Sequence, residues 1–113
     1  MKLTFDNIKN LFAFNTLGKG CAEIEFCVKG IDKYQLCWMG KMPDRDNTQK
    51  DCYWFGLVPD GSEAYDYDNF DDFSTAPVFE GKSLKDICHK IVLLTVNGCA
   101  PETEILNAMG LYL

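Results

Sequence analysis

The chain has 113 residues, a length that supports one hydrophobic core, so we predict a single domain over residues 1–113. Hydrophobic residues make up 47% of the chain and aromatic residues 13%, a composition that excludes a disordered protein. The net charge of −6 at pH 7 argues against direct nucleic-acid binding, because such proteins use Lys and Arg to replace the counterions of phosphate. An acidic balance favours plain solubility or a basic protein partner.

The N-terminal residues show no export signal. Asp6, Asn7, Lys9 and Asn10 interrupt the region where a signal peptide carries an unbroken apolar run. The longest apolar stretch, residues 91–94, is far shorter than the roughly 18 residues that span a bilayer. We therefore expect a soluble, cytoplasmic protein that does not bind membranes.

The cysteines are irregularly spaced and include no C-x-x-C pair; the six are Cys21, Cys27, Cys37, Cys52, Cys88 and Cys99. This spacing supports neither a zinc ribbon nor a thioredoxin-type redox pair. In a chain without an export signal we expect a reducing compartment, free thiols, and no bound metal or cofactor.

The first predicted element is an amphipathic helix capped by Thr4. Phe5, Ile8 and Phe12 recur at helical spacing and define its apolar face. The glycines of residues 17–20 predict the end of this helix.

From Ala22 onward, apolar and polar residues alternate. This alternation predicts an antiparallel hairpin with its turn near Gly30. The predicted inward residues are Ile24, Phe26, Val28, Tyr34, Leu36 and Trp38, and the predicted outward residues are Glu23, Glu25, Cys27, Lys29, Gln35, Cys37, Met39 and Lys41. The preferred register sets Phe26 opposite Trp38, a favourable aromatic pair on the buried side. It also sets Cys27 directly opposite Cys37, so these thiols are expected to be neighbours as a by-product of the register.

The middle of the chain predicts two more strands and a short helical turn. Residues 42–51 are polar and are expected to form a loop. Strands are predicted over residues 52–58 and near residues 62–68, joined by a turn at Pro59-Asp60-Gly61. Residues 69–75 predict a helical turn with Phe70 and Phe73 on one side.

The C-terminal third contains the clearest helix start. Ser83 is followed three residues later by Asp86, a relative of the capping box. A fifth strand is predicted over residues 92–96, closed by Asn97-Gly98, and Pro101 opens a last helix. Together these elements predict an α+β fold, with a four- or five-stranded, mainly antiparallel sheet and two or three helices packed on one face.

The most unusual segment lies between Asp60 and Gly81, where seven acidic residues and several aromatic ones occur without a single Lys or Arg. Charge interleaved with apolar area is typical of a surface that docks a basic protein. The candidate partner-binding residues are Asp60, Glu63, Tyr65, Asp66, Tyr67, Asp68, Asp71 and Asp72. The alternative interpretation is a solvated hairpin whose aromatic side chains anchor it to the core.

More specific functions for this region, such as phosphate mimicry, calcium binding or phosphate binding, have little support in the sequence. The charge density is modest for a mimic of nucleic-acid phosphates. A calcium loop over residues 66–71 lacks the glycine and the distal glutamate of EF-hand spacing. Residues 81–83 echo the end of a phosphate-binding loop, but Ala76 stands where the first glycine belongs and Pro77 removes an amide.

His89 is the only histidine, so any acid-base catalysis by histidine must pass through it. Helical spacing places its neighbour Cys88 on the apolar face and His89 on the polar one. No catalytic residues are therefore assigned. A small enzyme or metal-binding protein that uses His89 and cysteines remains the alternative hypothesis.

A run in the second half of the chain resembles short bacterial proteins of unassigned function. The run is Phe70-Asp71-Asp72-Phe73, then Ala76, then Val78-Phe79-Glu80-Gly81-Lys82-Ser83-Leu84-Lys85-Asp86-Ile87. The likeness covers about residues 52–106. It implies a bacterial or phage source and a hairpin followed by a helix, and it carries no functional residues.

The sequence thus predicts a non-enzymatic protein-binding module, of the inhibitor or immunity type. Its acidic aromatic segment is expected to contact a basic partner. No catalytic or metal-binding residue is part of this prediction.

Overall fold

The computed structural model describes residues 3–14, 21–43 and 50–108. The strands are β1 (Ala22–Val28), β2 (Cys37–Pro43), β3 (Asp51–Gly56), β4 (Ala64–Tyr67) and β5 (Ile91–Val96). The helices are α1 (Phe5–Phe14), α2 (Phe70–Thr75), α3 (Leu84–Ile87) and α4 (Pro101–Ala108), with 3₁₀ helices at Asp32–Tyr34 and Cys88–Lys90.

All five strands are antiparallel and lie in the order β4-β3-β2-β1-β5, so the α+β fold class is confirmed. The helices supply buried side chains to one face of this sheet, called here the inner face. Phe55 of β3 stacks on Phe73 of α2 with ring centroids 4.1 Å apart, and Phe12 of α1 meets the same Phe73 edge-on at 5.2 Å. The opposite face, called here the outer face, carries no described helix.

The predicted start of α1 is confirmed by two reciprocal hydrogen bonds. The Asn7 N–H donates to Thr4 Oγ1 at 3.2 Å, and the Thr4 N–H donates to Asn7 Oδ1 at 3.0 Å. Ile8 and Phe12 are buried, as the helical period predicts. The predicted end of this helix at residues 17–20 lies outside the described residues.

The predicted register of the first hairpin is wrong by one residue. Phe26 lies opposite Cys37, and Trp38 lies opposite Glu25. The faces assigned to β1 are correct, but those assigned to β2 are reversed: Cys37, Met39 and Lys41 point inward. Cys27 and Cys37 therefore lie on opposite faces and are not the predicted pair.

The turn before β2 explains this shift. The predicted alternation of inward and outward residues in β2 begins at Tyr34. In the structure Tyr34 belongs to a 3₁₀ helix and is buried there rather than in a strand. The side-chain amide of Gln35 holds the turn by donating to the carbonyl oxygens of Val28 and Ile31, at 2.9 and 2.6 Å. The strand begins only at Cys37, so the alternation of inward and outward residues starts again there, one residue out of step with the prediction.

Lys41 is the most unexpected buried residue, with 1% of its surface exposed. Its Nζ donates a hydrogen bond to the carbonyl oxygen of Phe12, in the last turn of α1. The carbonyls at a helix C-terminus carry partial negative charge, so they favour a cation. This lysine therefore joins the middle strand of the sheet to α1, although its charge alone predicts an outward position.

The later elements follow their predicted signals closely. Asn69 caps α2, with the Asp72 N–H donating to its Oδ1 at 2.8 Å. Ser83 and Asp86 form a complete capping box at α3. This helix has four residues and passes into a 3₁₀ helix after Ile87. Asn97 and Gly98 have positive φ angles of 51° and 77° in the tight turn after β5.

One irregularity interrupts the pairing of β1 with β5. Glu25 pairs with Thr95 and the next residue, Phe26, pairs with Leu93. Leu94 is thus the extra residue of a β-bulge. Leu93 packs on the core, whereas Leu94 is 42% exposed.

The burial of Lys41 leads to a prediction about pH. Burial lowers the pKa of Lys41 from its ordinary value of 10.5, against an opposing effect of Asp51, which raises it. The folded protein then releases this proton at a lower pH than the unfolded chain. Between the lowered pKa and 10.5, the free energy of unfolding of the wild type should rise with pH relative to that of Lys41→Met. Below that range the difference between the two free energies of unfolding should be constant.

Urea unfolding of both proteins from pH 7 to 10.5 measures this difference. Subtracting the variant removes the titration of the tyrosines and cysteines, which both proteins share. Lys29→Met, which removes an exposed lysine, is the matched control for the loss of one positive charge. A difference that falls as pH rises would contradict the burial of a charged Lys41.

Candidate functional site

The eight candidate partner-binding residues do not form one surface. Asp60 and Glu63 lie in the turn between β3 and β4, at one end of β4. Asp68 follows the other end of the strand, and Asp71 and Asp72 lie in the first turn of α2. On β4 itself, Asp66 points to the outer face, while Tyr65 and Tyr67 point to the inner side.

Glu63 is engaged within the fold rather than presented to a partner. Its carboxylate accepts a hydrogen bond from the Tyr34 hydroxyl at 3.2 Å and forms an ion pair with Lys33. Burial is the main cause that raises the pKa of Tyr34, and the contact with Glu63 adds to it. Asp60 is likewise used locally. Hydrogen bonds from the Ser62 side chain and from the Ser62 N–H, the latter at 2.9 Å, lower the pKa of Asp60.

The carboxylates beyond β4 also have local partners. Asp72 Oδ2 accepts a hydrogen bond from Asn69 Nδ2 at 3.0 Å, next to the cap of α2. Asp68 forms an exposed ion pair with Lys50 at 3.2 Å, a contact of small energetic value. Tyr67 packs its ring against Phe55, with centroids 6.3 Å apart. Of the eight residues, Asp66 alone lies on the outer face of a strand.

The outer face carries the apolar surface that the sequence interpretation missed. Six large hydrophobic residues of the described chain are exposed, and four of these point outward from the strands: Trp38, Met42, Val92 and Leu94, between 38% and 50% exposed. Trp54 of β3 joins them. A cluster of exposed apolar side chains on one face marks an interaction site more often than scattered ones do.

Each outer tryptophan lies opposite a glycine of the neighbouring strand. Trp54 faces Gly40 of β2, and Trp38 faces Gly56 of β3. A Cβ atom on Gly40 would lie 2.7 Å from the Trp54 ring and 2.0 Å from the Ala22 carbonyl oxygen, so the indole lies directly over this glycine. A Cβ atom on Gly56 would meet no described atom within 4 Å, which leaves a notch beside Trp38.

Carboxylates lie next to both tryptophans in the sheet. Glu25 is the cross-strand neighbour of Trp38, and Asp66 is that of Trp54. Glu23 lies beyond Gly40 in the same row as Trp54. Among the described strand residues of the outer face there is no Lys or Arg. The described strand residues of this face therefore combine flat aromatic area with negative charge.

A cleft of about 290 Å³ opens at one end of this face. Its lining residues are Cys21, Glu23, Lys41, Met42 and Trp54. The cleft continues the apolar surface of Met42 and Trp54 and carries the Glu23 carboxylate, so it extends the outer face.

The residues considered for catalysis are spread over the fold. His89 is exposed on the second 3₁₀ helix. Cys37 is buried, and burial raises the pKa of its thiol to about 12, so it is protonated at neutral pH. Within the described ranges, no group of three His, Cys, Asp or Glu side chains could hold a metal ion.

No protein-family model, curated protein or solved structure matches this chain. The part of the chain that the structure describes contains no helix long and apolar enough to cross a membrane.

The two glycines of the outer face give a matched pair of predictions. Gly40→Ala should destabilise the fold by about 2 kcal/mol or more, because the new methyl group clashes with backbone and indole. Gly56→Ala should change stability by no more than about 0.5 kcal/mol, since its methyl group enters open space. Denaturant midpoints measure both, and equal effects would contradict the described packing of Trp54.

The cysteines predict an order of chemical modification. Cys21 and Cys99 are exposed, whereas the Cys37 thiol is buried and donates to the Leu57 carbonyl oxygen at 3.3 Å. Iodoacetamide at pH 8 should therefore label Cys21 and Cys99 first in the native protein and Cys37 last. Peptide mass spectrometry over time measures the order, and early labelling of Cys37 would contradict its position.

Proposed function

We propose that this chain is a non-enzymatic protein-binding module that docks a basic partner on the outer face of its sheet. The observation that supports this proposal is the pairing of exposed tryptophan with carboxylate across neighbouring strands: Trp38 with Glu25, and Trp54 with Asp66. Tryptophan is enriched among the residues that dominate binding energy at interfaces.

The chemistry of these pairs selects a cationic side chain. Residues directly opposite in a sheet have Cβ atoms about 4.5 to 5.5 Å apart, so one Lys or Arg can contact both members of a pair. Its charge is attracted to the indole face and to the carboxylate together. We therefore expect a partner whose contact surface alternates apolar residues with Lys or Arg.

The acidic segment contributes to this function from a distance. Its carboxylates flank β4 at both ends, and several of them are occupied by local contacts. Charges within about a Debye length, roughly 8 Å at physiological salt, still attract a basic protein and raise its association rate. In this proposal the segment accelerates encounter, while the outer face supplies the contact.

The proposal includes the setting that the sequence indicates. A cytoplasmic protein of bacterial or phage origin, which acts as an inhibitor or immunity-type protein, would use such a face to cover a basic surface of its target. The enzyme alternative relies on His89 and the cysteines, and the described structure gathers no such group around His89.

The test is binding to immobilised variants, with an aromatic control of similar exposure. Trp38 is 38% exposed on the outer face, and Tyr65 is 36% exposed on the other side of the sheet. Lysate of the source cell is passed over immobilised wild type, Tyr65→Ser and Trp38→Ser. A protein that binds the first two but not Trp38→Ser is then purified and titrated. We expect Trp38→Ser to weaken its affinity at least about tenfold.

The charge is tested on the same purified complex. Glu25→Gln and Asp66→Asn should both weaken binding and flatten its dependence on salt, because each removes a carboxylate next to a tryptophan. Asp60→Asn, at the far turn, is the control and should change the salt dependence less than either outer-face variant, because it removes a charge that acts only from a distance. A partner whose binding depends on Tyr65 or Asp60, and not on Trp38, would contradict the proposed face.

A further inference from the structure

The two edges of the sheet differ in their protection against pairing. The edge strand β4 has four residues and carries Asp66 within it and Asp68 directly after it. The other edge strand, β5, has six residues, IVLLTV, with no charge and no proline. Natural sheets normally guard an edge with charge, proline, short length or a bulge, and of these β5 has only the bulge at Leu94, in its second half.

Hydrogen bonds on both sides of β5 show which of its backbone groups face outward. The Lys29 N–H donates to the Lys90 carbonyl oxygen at 2.7 Å, so these opposite residues form a hydrogen-bonded pair. Such pairs alternate along antiparallel strands with pairs that are not bonded. Ile91 and Leu93 occupy the alternate positions, and their backbone groups point away from β1. The Ile91 N–H donates to the Cys88 carbonyl oxygen at the end of the second 3₁₀ helix, so the groups left at the open edge are the Ile91 C=O and both the N–H and C=O of Leu93.

The turn after β5 covers only the last residue of this edge. The Val96 N–H donates to the Cys99 carbonyl oxygen at 3.0 Å, and the Cys99 N–H donates back to Val96 at 2.9 Å. No described strand pairs with the edge at Ile91 and Leu93. The open part of the edge is therefore the first half of β5.

An apolar groove lies against this same part of the edge. It has a volume of about 220 Å³ and lies between β5 and the start of α4. Its lining includes Ile91, Leu93, Leu3, Pro101 and Ile105, with the exposed Glu102 at its rim. Backbone groups that can pair, a groove for side chains and one carboxylate thus lie side by side.

We infer that an extended segment of a partner protein adds to β5 as a sixth strand. Its backbone pairs with the Ile91 carbonyl and with both backbone groups of Leu93, and every second side chain enters the groove, as in other cases of strand addition. Glu102 favours a Lys or Arg among these side chains. The inference rests on the proposed function only in assuming a protein ligand. Val92 belongs to the outer face and also lines the groove, but neither tryptophan–carboxylate pair takes part.

Charge disfavours a second copy of this chain as the occupant. A two-fold pairing of two β5 strands would set the start of one α4 beside the start of the other. Glu102 and Glu104 lie in that first turn, so like charges would meet at the seam. The net charge of −6 on each chain adds to this repulsion. An extended segment with apolar and basic residues meets no such cost.

The experiment uses three blocked nine-residue peptides as probes. The first alternates Thr and Val, with one central Val replaced by Lys. The second carries Glu at the same place. The third is the Lys peptide with its four central amide nitrogens methylated, which removes strand pairing and retains the side chains. Binding and amide hydrogen exchange are followed by NMR on the labelled full chain.

The expected result is specific to one amide. In the free protein the Leu93 amide exchanges faster than the Val92 amide, which bonds to β1, and than the Ile91 amide, which bonds to Cys88. The Lys peptide should slow the exchange of the Leu93 amide by about tenfold or more and leave Val92 unchanged. The methylated peptide should have no effect. Protection of Leu93 without any peptide, or equal binding of the methylated peptide, would overturn the inference.

Glu102 is tested by reversing its charge. Wild type should prefer the Lys peptide to the Glu peptide by about threefold or more, and Glu102→Lys should reverse this order. Glu104→Lys makes the same change in net charge outside the groove and should retain the wild-type order. A preference that follows net charge alone would overturn the role of Glu102. A dimer in sedimentation with the Leu93 amide protected would assign the edge to a second copy.

The peptides are also titrated into Trp38→Ser. Because Trp38 lies on β2, away from the edge, this variant should bind the Lys peptide as wild type does. If the outer-face experiments fail but the peptide still binds, only the proposed function is rejected. If the partner still binds the outer face but no peptide binds, only the sixth strand is rejected.

Discussion

The pairing of β1 with β2 determines most of what this molecule presents to its surroundings. With Phe26 opposite Cys37, the side chains of Met39 and Lys41 enter the core and Trp38 is left in solvent. A shift of one residue would exchange these two sets completely. The contact of the Lys41 ammonium with the α1 carbonyl helps to hold this register, because a shifted strand would leave that end of the helix without its cation.

The parts of the fold that were predicted correctly depend on contacts between residues close in sequence. The caps at Thr4, Asn69 and Ser83 each involve a partner three residues away, and such signals are visible in a single sequence. The faces of β2 depend instead on a turn that buries Tyr34 in a 3₁₀ helix. Periodicity alone does not distinguish a buried turn residue from the first residue of a strand.

The candidate site was predicted only in its chemistry, an acidic and aromatic surface, and not in its position. The acidic run is obvious in the sequence, but the local partners of Glu63 and Asp72 are not, and these contacts divide the run into separate pieces. The outer tryptophans were missed because Trp38 was assigned to the core. The glycines opposite them were a usable signal, since a glycine within a strand often marks a close approach by a neighbouring side chain.

The unequal edges of the sheet also bear on aggregation. Growth of a sheet from molecule to molecule requires every molecule to offer two receptive edges, one for each neighbour. Among the described strands, the four-residue β4, with Asp66 and Asp68, offers a poor template, and β5 is the single long uncharged edge. A molecule built in this way can end a stack of strands but cannot propagate one, so the exposed edge is retained without the usual risk of fibre formation.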